Sequence, residues 1–444
     1  MSESEIIELL EKAEKLDVLT SGKFFAYIYE TGDEKLKEIA LKALLQFYNK
    51  NMLDFTVYRS AVYFEREVVN FCKRLMNAEN AFGTFTFGGT ESIMLAVLAA
   101  RNYFLKRKGK GVVPELAVPF TIHPSFIKAA HYLGMKVKIF DIDEKLKADV
   151  EGLKSSISEN TALIALSAPN WPYGTIDPVR EIAEIAKEKE ILLHVDACLG
   201  GFILPFFERL GEKVEKFDFR VEGVTSISMD VHKYGYSPKG ASVILFRDVE
   251  LKKESIFVNT SNPGYVFINT AVLSSRSVGP LASAFAVIKY LGEDGYLGLS
   301  KDVLDARDAL FKGMKRLGFE SVGPVESSIL SLFNDDADLI SFVSRMRELG
   351  WHFHLQRRVE NYRIPLNIHF TISPIHKITV GEFLKDAESA LERREERKEI
   401  KVDEILESIK SGSFDSSLAP ILTEMLEEES ANELAKEIVI DLFG

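Results

Sequence analysis

TALIALSAPNWPYGTIDPVREIAEIAKEKEILLHVDAC, residues 161–198, decides the fold of this chain. TALIALSAPN reads as an apolar strand running into a turn, PVREIAEIAKEKE has the spacing of an amphipathic helix, and ILLHVDAC is a second apolar strand. Strand, helix and strand at these lengths form a crossover unit, which implies a mostly parallel sheet covered on both faces. The alternation continues upstream through PELAVPF (strand), HPSFIKAAHYLG (helix) and MKVKIFDI (strand), with a short helix before Thr161. Earlier still, AFGTFTFGGTESIMLAVLAARNYFLKRKG predicts strand, glycine turn and long helix, with Gly88 and Gly89 at the turn and Thr90 as the helix N-cap.

Downstream, SISM and ASVILFRD read as strands, and after the Gly/Asn/Ser-rich IFVNTSNPGYVFINTAVLSSRSVGP two long helices are expected from about Pro280 to Leu317. From Gly318 the pattern changes to the strands VESSILSLF, WHFHLQRR and LNIHFTIS, followed by helices. The expected division is an N-terminal helical segment (1–78), a large α/β domain (79–317) and a small C-terminal α+β domain (318–444).

The 444 residues are 46% hydrophobic and 27% charged, as in soluble globular proteins. A net charge of -12 argues against a nonspecific grip on nucleic acid or anionic membrane. The two cysteines, Cys72 and Cys198, are too few for a disulfide framework and fit a reducing, cytoplasmic setting. No run of about 18 uncharged apolar residues suggests a membrane span. MSESEIIELLEKAEKL is acidic and amphipathic, unlike a signal peptide, so no membrane anchor is expected. EKAEKL and LERREERKEIKVDE read as solvated helix faces. His352 and His354 share a strand face in WHFH but lack a third ligand at supporting spacing, so no metal site is expected.

In parallel sheets ligands sit beyond the carboxyl ends of the strands, and Gly89, His123, Asn170, Asp196 and Lys233 all fall at or just after strand ends. Lys233, in SISMDVHKYGYSPKG (226–240), is flanked by a histidine and followed by Gly235, Pro238 and Gly240. That is the setting of an amine in a shaped pocket, able to form a Schiff base; alone, the segment equally suits a charged loop. Asp196 ends an apolar strand, so its carboxylate needs a cation or strong donor, such as a pyridinium nitrogen, unless it caps a turn. His123 either stacks on a cofactor ring or bonds backbone at a helix N-terminus. The GGT turn presents backbone N–H groups and a positive helix end to a phosphate, although many such turns bind nothing. Together these are the parts of a pyridoxal phosphate site.

The runs FDFRVEGVTSISMDVHKYGYSPKG, LHVDACLGGF, FGGTESIMLA and APNWPYGTIDPV closely resemble the sphingosine-1-phosphate lyase family, within the pyridoxal-phosphate-dependent decarboxylases related to glutamate and aromatic amino acid decarboxylases. The resemblance runs from about Leu19 to the C-terminal helices. It implies the PLP-dependent transferase fold of aspartate aminotransferase type (fold type I) and a homodimer with active sites at the subunit interface. On matching positions it implies Lys233 as the Schiff-base lysine, Asp196 as partner of the ring nitrogen, His123 as the ring-stacking residue, and Gly89 and Thr90, helped by His232, as holders of the phosphate. Lys239 matches a lysine near the phosphate end of the site and Tyr29 an N-terminal tyrosine that reaches it. Ser275 and Arg276 match a loop expected from the partner subunit, Ser275 toward the cofactor and Arg276 toward the substrate.

The departures fall where substrate should be read. Before the helix carrying Glu65 and Glu67, the family's Asn-x-Leu-His becomes NMLD, so Asp54 takes the place of a histidine expected to bind substrate phosphate, where a carboxylate would repel it. The family's Trp-x-Gly-Gly stretch becomes SNPGYVF, with Asn262 for the tryptophan and Tyr265 for a glycine. The expected activity is retro-aldol cleavage of an amine substrate with a 2-amino-3-hydroxy group, phosphorylated or not. The alternative is α-decarboxylation of an amino acid, with Arg276 or another polar group orienting the carboxylate. A non-catalytic cofactor-binding homologue is disfavoured by retention of Lys233, Asp196, His123 and the glycine turn.

Overall fold

The structure, a computed structural model, describes residues 1–17, 22–27, 29–392 and 428–443. Helices Glu3–Glu14 (α1), Glu34–Phe47 (α2) and Arg59–Leu75 (α3) lead to strand Phe82–Thr86 (β1). There follow α4 (Gly89–Lys108), β2 (Glu115–Pro119), α5 (Ser125–Leu133), β3 (Lys136–Phe140), α6 (Val150–Ser156), β4 (Thr161–Ser167), α7 (Val179–Glu188) and β5 (Leu192–Asp196). Next come α8 (Leu204–Arg209), β6 (Ser226–Met229), β7 (Ser242–Phe246) and α9 (Val249–Glu254). A hairpin, β8 (Phe257–Asn259) with β9 (Phe267–Asn269), precedes α10 (Gly279–Arg316).

The seven strands form one sheet in the order β1-β7-β6-β5-β4-β2-β3. Only β7 runs against the others, pairing antiparallel with β1 and β6; β6, β5, β4, β2 and β3 are mutually parallel. Burial explains the strand sequences. Every residue of β4 is buried, so TALIALS carries no polar alternation. Helix α7 instead buries one stripe, Val179, Ile182, Ala183 and Ala186, at the spacing that returns to one face after each turn. Burying a side chain such as Ile182 contributes roughly 1.5–3 kcal/mol.

The two helices expected between Pro280 and Leu317 are the halves of α10, which breaks at Gly292, where φ is 55° and ψ -174°. It packs on α2 and α3. Beyond it β10 (Glu320–Ser321), β11 (Ile329–Phe333), α11 (Leu339–Glu348), β12 (His354–Gln356), β13 (Asn367–Thr371) and α12 (His376–Glu392) build a four-stranded antiparallel sheet with two helices. The last described helix is α13 (Glu428–Phe443). Most of LERREERKEIKVDE lies outside the described residues. The Tyr234 hydroxyl, fully buried, donates to the Ile372 carbonyl at 2.8 Å and ties the loop after β6 to the small sheet.

Two local readings are corrected. Thr90 is not the cap of α4. Gly88 holds that place with φ 151°, a conformation open to glycine, and no side chain caps the helix, so its first N–H groups have no side-chain acceptor at the cap. His352 lies before β12, in an isolated bridge with Phe24 and stacked on that ring, while His354 packs edge-on to Trp171. No group of three potential metal ligands occurs among the described residues.

Candidate active site

The carboxyl ends of β1, β4, β5 and β6 open on a cavity of about 840 Å³. Gly89, Thr90, His123, Asp196, His232, Lys233, Lys239 and Tyr29 all line it, so the strand-end residues Gly89, His123, Asp196 and Lys233 meet there with four residues that the family resemblance implies. Asn170 does not. Its amide donates to the Leu146 carbonyl and the Thr175 hydroxyl, and its oxygen accepts from the Tyr173 amide, so it shapes the turn after β4.

Lys233 follows β6 by one turn of chain, which brings its amine 2.9 Å from the Asp230 carboxylate. Burial works against the charged amine, but Asp230 outweighs it and holds Lys233 well above the usual lysine range. Asp230 is itself buried, and despite that burial the charges of Lys233 and His232 keep it ionised, below its usual range. Lys239 has the opposite balance. Burial, with the like charge of Lys233, brings it down to about 8. Its amine donates to the Tyr27 carbonyl at 2.7 Å and lies 5.1 Å from the centre of the Tyr29 ring. Burial pushes the Tyr29 phenol up to about 12, so it stays protonated.

Asp196 is 8% exposed, and the two hydrogen bonds it accepts, from the Cys198 amide and the Ser228 hydroxyl, both fall on Oδ1. The His123 ring accepts from the Ser125 amide at Nδ1, leaving its proton for Nε2, and burial lowers its pKa so that the neutral ring is favoured. His232 likewise accepts from the Ala241 amide at Nδ1, with Nε2 3.6 Å from Asp230. The turn beside it has no room for a side chain: a Cβ on Gly89 would lie 2.8 Å from the Cys198 sulfur and 2.9 Å from Asp230.

Asp54, Ser275 and Arg276 stand outside the cavity of their own chain. Asp54 is exposed and accepts from the Thr56 amide and hydroxyl and the Val57 amide, which hold its carboxyl below the usual range. Ser275 accepts from the Asn51 side chain at 3.3 Å, and Arg276 is buried with its guanidinium donating to the Leu273 carbonyl. Asn262 accepts from Gly264 and Tyr265 in the exposed turn of the β8–β9 hairpin. Conversely, Asp230, Glu91, Trp171 and Tyr27 line the cavity without having been singled out. Asp230 and Trp171 were findable, because each follows a strand end just as the assigned residues do; Glu91 and Tyr27 carry no such local mark.

A buried carboxylate at a strand end, a cavity lysine and a glycine turn with no room for a side chain at Gly89 form the donor set that pyridoxal phosphate requires. This arrangement on this sheet defines a fold type I, pyridoxal-phosphate-dependent enzyme. Residues 2–306 match the model of the pyridoxal-dependent decarboxylase conserved domain, and the chain belongs to that family. Within it the chain resembles the sphingosine-1-phosphate lyases. It is 36% identical over 393 residues to sphingosine-1-phosphate lyase 1 of Rattus norvegicus, covering 87% of this chain and 67% of the relative. A solved Burkholderia pseudomallei sphingosine-1-phosphate lyase superposes with a TM-score of 0.83 at 31% identity, over 88% of this chain and 91% of that one. A probable L-tyrosine/L-aspartate decarboxylase of Methanothermobacter thermautotrophicus is 32% identical over 70% of this chain and 84% of its own. No helix among the described residues is long and apolar enough to cross a membrane.

Proposed function

We propose that the chain is a cytoplasmic, homodimeric carbon–carbon lyase acting on a 2-amino-3-hydroxy compound with an apolar chain, phosphorylated or not. The observation that carries this reading is one cavity that brings together Lys233, paired with Asp230, Lys239, Asp196 and the glycine turn, in a chain that resembles the sphingosine-1-phosphate lyases. When bound, pyridoxal phosphate supplies the electron sink for the bond broken at the amine-bearing carbon. Lys233 would bond its aldehyde, Asp196 its ring nitrogen, His123 would cover one ring face, and Gly89, Thr90 and His232 would hold its phosphate.

In retro-aldol cleavage the β-hydroxyl loses a proton as the carbon–carbon bond breaks and an aldehyde forms; the carbon that keeps the amine then gains a proton. Lys239, part neutral near pH 8, is suited to take the hydroxyl proton, and Tyr29, protonated throughout, to donate a hydrogen bond to that oxygen. Ile93, Met94, Trp171, Val272 and Leu273 give the outer cavity the apolar walls that a hydrocarbon chain needs.

The homodimer is supported by surface chemistry. Leu45, Tyr48, Val57 and Tyr63 on α2, α3 and the turn between them, with Phe257, Val258 and Tyr265 on the hairpin, are all more than half exposed. Asp54, on the turn between α2 and α3, and the segment of Ser275 and Arg276, which pairs with that turn through Asn51, are proposed to complete the partner's cavity.

The test is a product assay on cofactor-loaded protein, with a phosphorylated 2-amino-3-hydroxy amine in one tube and a panel of amino acids in the other. Aldehyde and phosphoethanolamine from the first are expected. Carbon dioxide from the second, with the first inert, would replace this reading by the α-decarboxylation that the archaeal relative's name suggests.

A further inference from the structure

One side chain joins the glycine turn to the segment on the far wall of the cavity. Glu91 lies in the first turn of α4 and is 9% exposed. Its Oε2 accepts from the Phe87 amide at 2.6 Å, and its Oε1 accepts from the amides of Val272 and Leu273 at 2.7 and 3.1 Å. The link continues outward. The Leu273 carbonyl accepts from the Arg276 guanidinium at 3.0 Å, the Arg276 amide donates to the Asn51 side chain at 3.2 Å, and the Met52 amide donates to the Arg276 carbonyl at 2.8 Å. Phe87, Val272 and Leu273 all line the cavity themselves.

We infer that Glu91 is a positioning residue that couples filling of the phosphate cradle to the ordering of residues 271–273 over the cavity, an inference that rests on the cradle proposed above. A carboxylate is a rigid plane with two acceptor oxygens. When an anion draws in the N–H groups of the glycine turn, the Phe87 amide and the plane it holds are fixed, and so are the two amides on the other oxygen. Hydrogen bonds to an ionised acceptor are the stronger kind. An amide cannot substitute, because its NH₂ group would face an N–H with another donor. The coupling is reciprocal: what the cradle does to the segment, the segment does to the cradle.

The experiment is hydrogen exchange on residues 271–276 in the full chain, with and without pyridoxal phosphate, for wild type and Glu91→Gln, alongside a cofactor titration followed by absorbance. In wild type, loading is expected to slow exchange at Val272 and Leu273 about tenfold or more; Glu91→Gln should cut that protection to about threefold or less and weaken cofactor affinity about tenfold. Equal protection in variant and wild type would overturn the coupling. Should the variant not fold, wild type with inorganic phosphate alone is used, since that ion reaches the cradle and not the ring site. Slowed exchange at 272–273 supports the inference, and unchanged exchange at phosphate levels that compete with the cofactor overturns it. Absence of a lysine-bound absorbance band in wild type would instead refute the cofactor site, so the two failures are told apart.

Discussion

Replacing Asp230 by Asn tests the electrostatics of the reactive amine. The carboxylate lies 2.9 Å from the Lys233 amine. At an effective dielectric of about 20, a contact near 4 Å is worth about 4 kcal/mol, which corresponds to about 3 pKa units on the lysine. Asn keeps the volume and an acceptor oxygen but removes the charge, leaving burial to act on the amine against only weaker partners such as Asp196. The Lys233 pKa is therefore expected to fall by about 3 units. Only the neutral amine attacks an aldehyde, so the rate of pyridoxal phosphate uptake by cofactor-free protein should read this shift directly. Stopped-flow absorbance would show the rate of both proteins climbing from about pH 7 to 10, with Asp230→Asn about 100-fold faster or more throughout. His232, 3.6 Å from the same carboxylate, does not confuse the profile: burial already lowers its pKa, and losing Asp230 lowers it further. Superimposable pH profiles for the two proteins would refute the reasoning.

Gly89→Ala puts a methyl 2.8 Å from the Cys198 sulfur and 2.9 Å from Asp230, so the turn must shift; cofactor affinity should drop about 100-fold while circular dichroism stays unchanged. Lys239→Met should lower kcat about 100-fold or more and abolish the rising limb of the pH–rate profile, which in wild type lies near pH 8 because the neutral amine accumulates above its pKa of about 8. Asp177 is fully buried, and burial raises its carboxyl to about 6 from 3.8, against the bonds it accepts from the Ser167 and Ala148 amides. A raised carboxyl favours the folded state when protonated, so the contribution is present below pH 3.8 and lost as pH rises through about 6. Urea unfolding should show wild type losing about 3 kcal/mol relative to Asp177→Asn between these limits, and parallel pH dependences would count against the assignment.

The parts of this molecule that were legible in its sequence are those governed by local rules. A buried parallel strand is a continuous apolar run wherever it occurs, so β2, β4 and β5 were readable, and the residues at strand ends inherit a place at the ligand face from that reading alone. That is how Gly89, His123, Asp196 and Lys233 were found. The rule overreaches where a strand-end side chain is consumed by its own turn, as with Asn170, and it misplaces a cap where backbone conformation decides, as with Gly88. Glu91 was illegible for a different reason: its partners Val272 and Leu273 are 181 and 182 residues away, and nothing near Glu91 announces them. The same division separates the site chemically. The residues proposed to meet the cofactor come mostly from strand ends whose geometry the sheet dictates. Asp54, Asn262 and Tyr265, where the chain departs from the lyase pattern, sit on exposed turns outside the sheet. The Asn51–Asp54 turn is joined to the cradle through Arg276, Leu273 and Glu91, so a loss of Glu91 should disturb both at once.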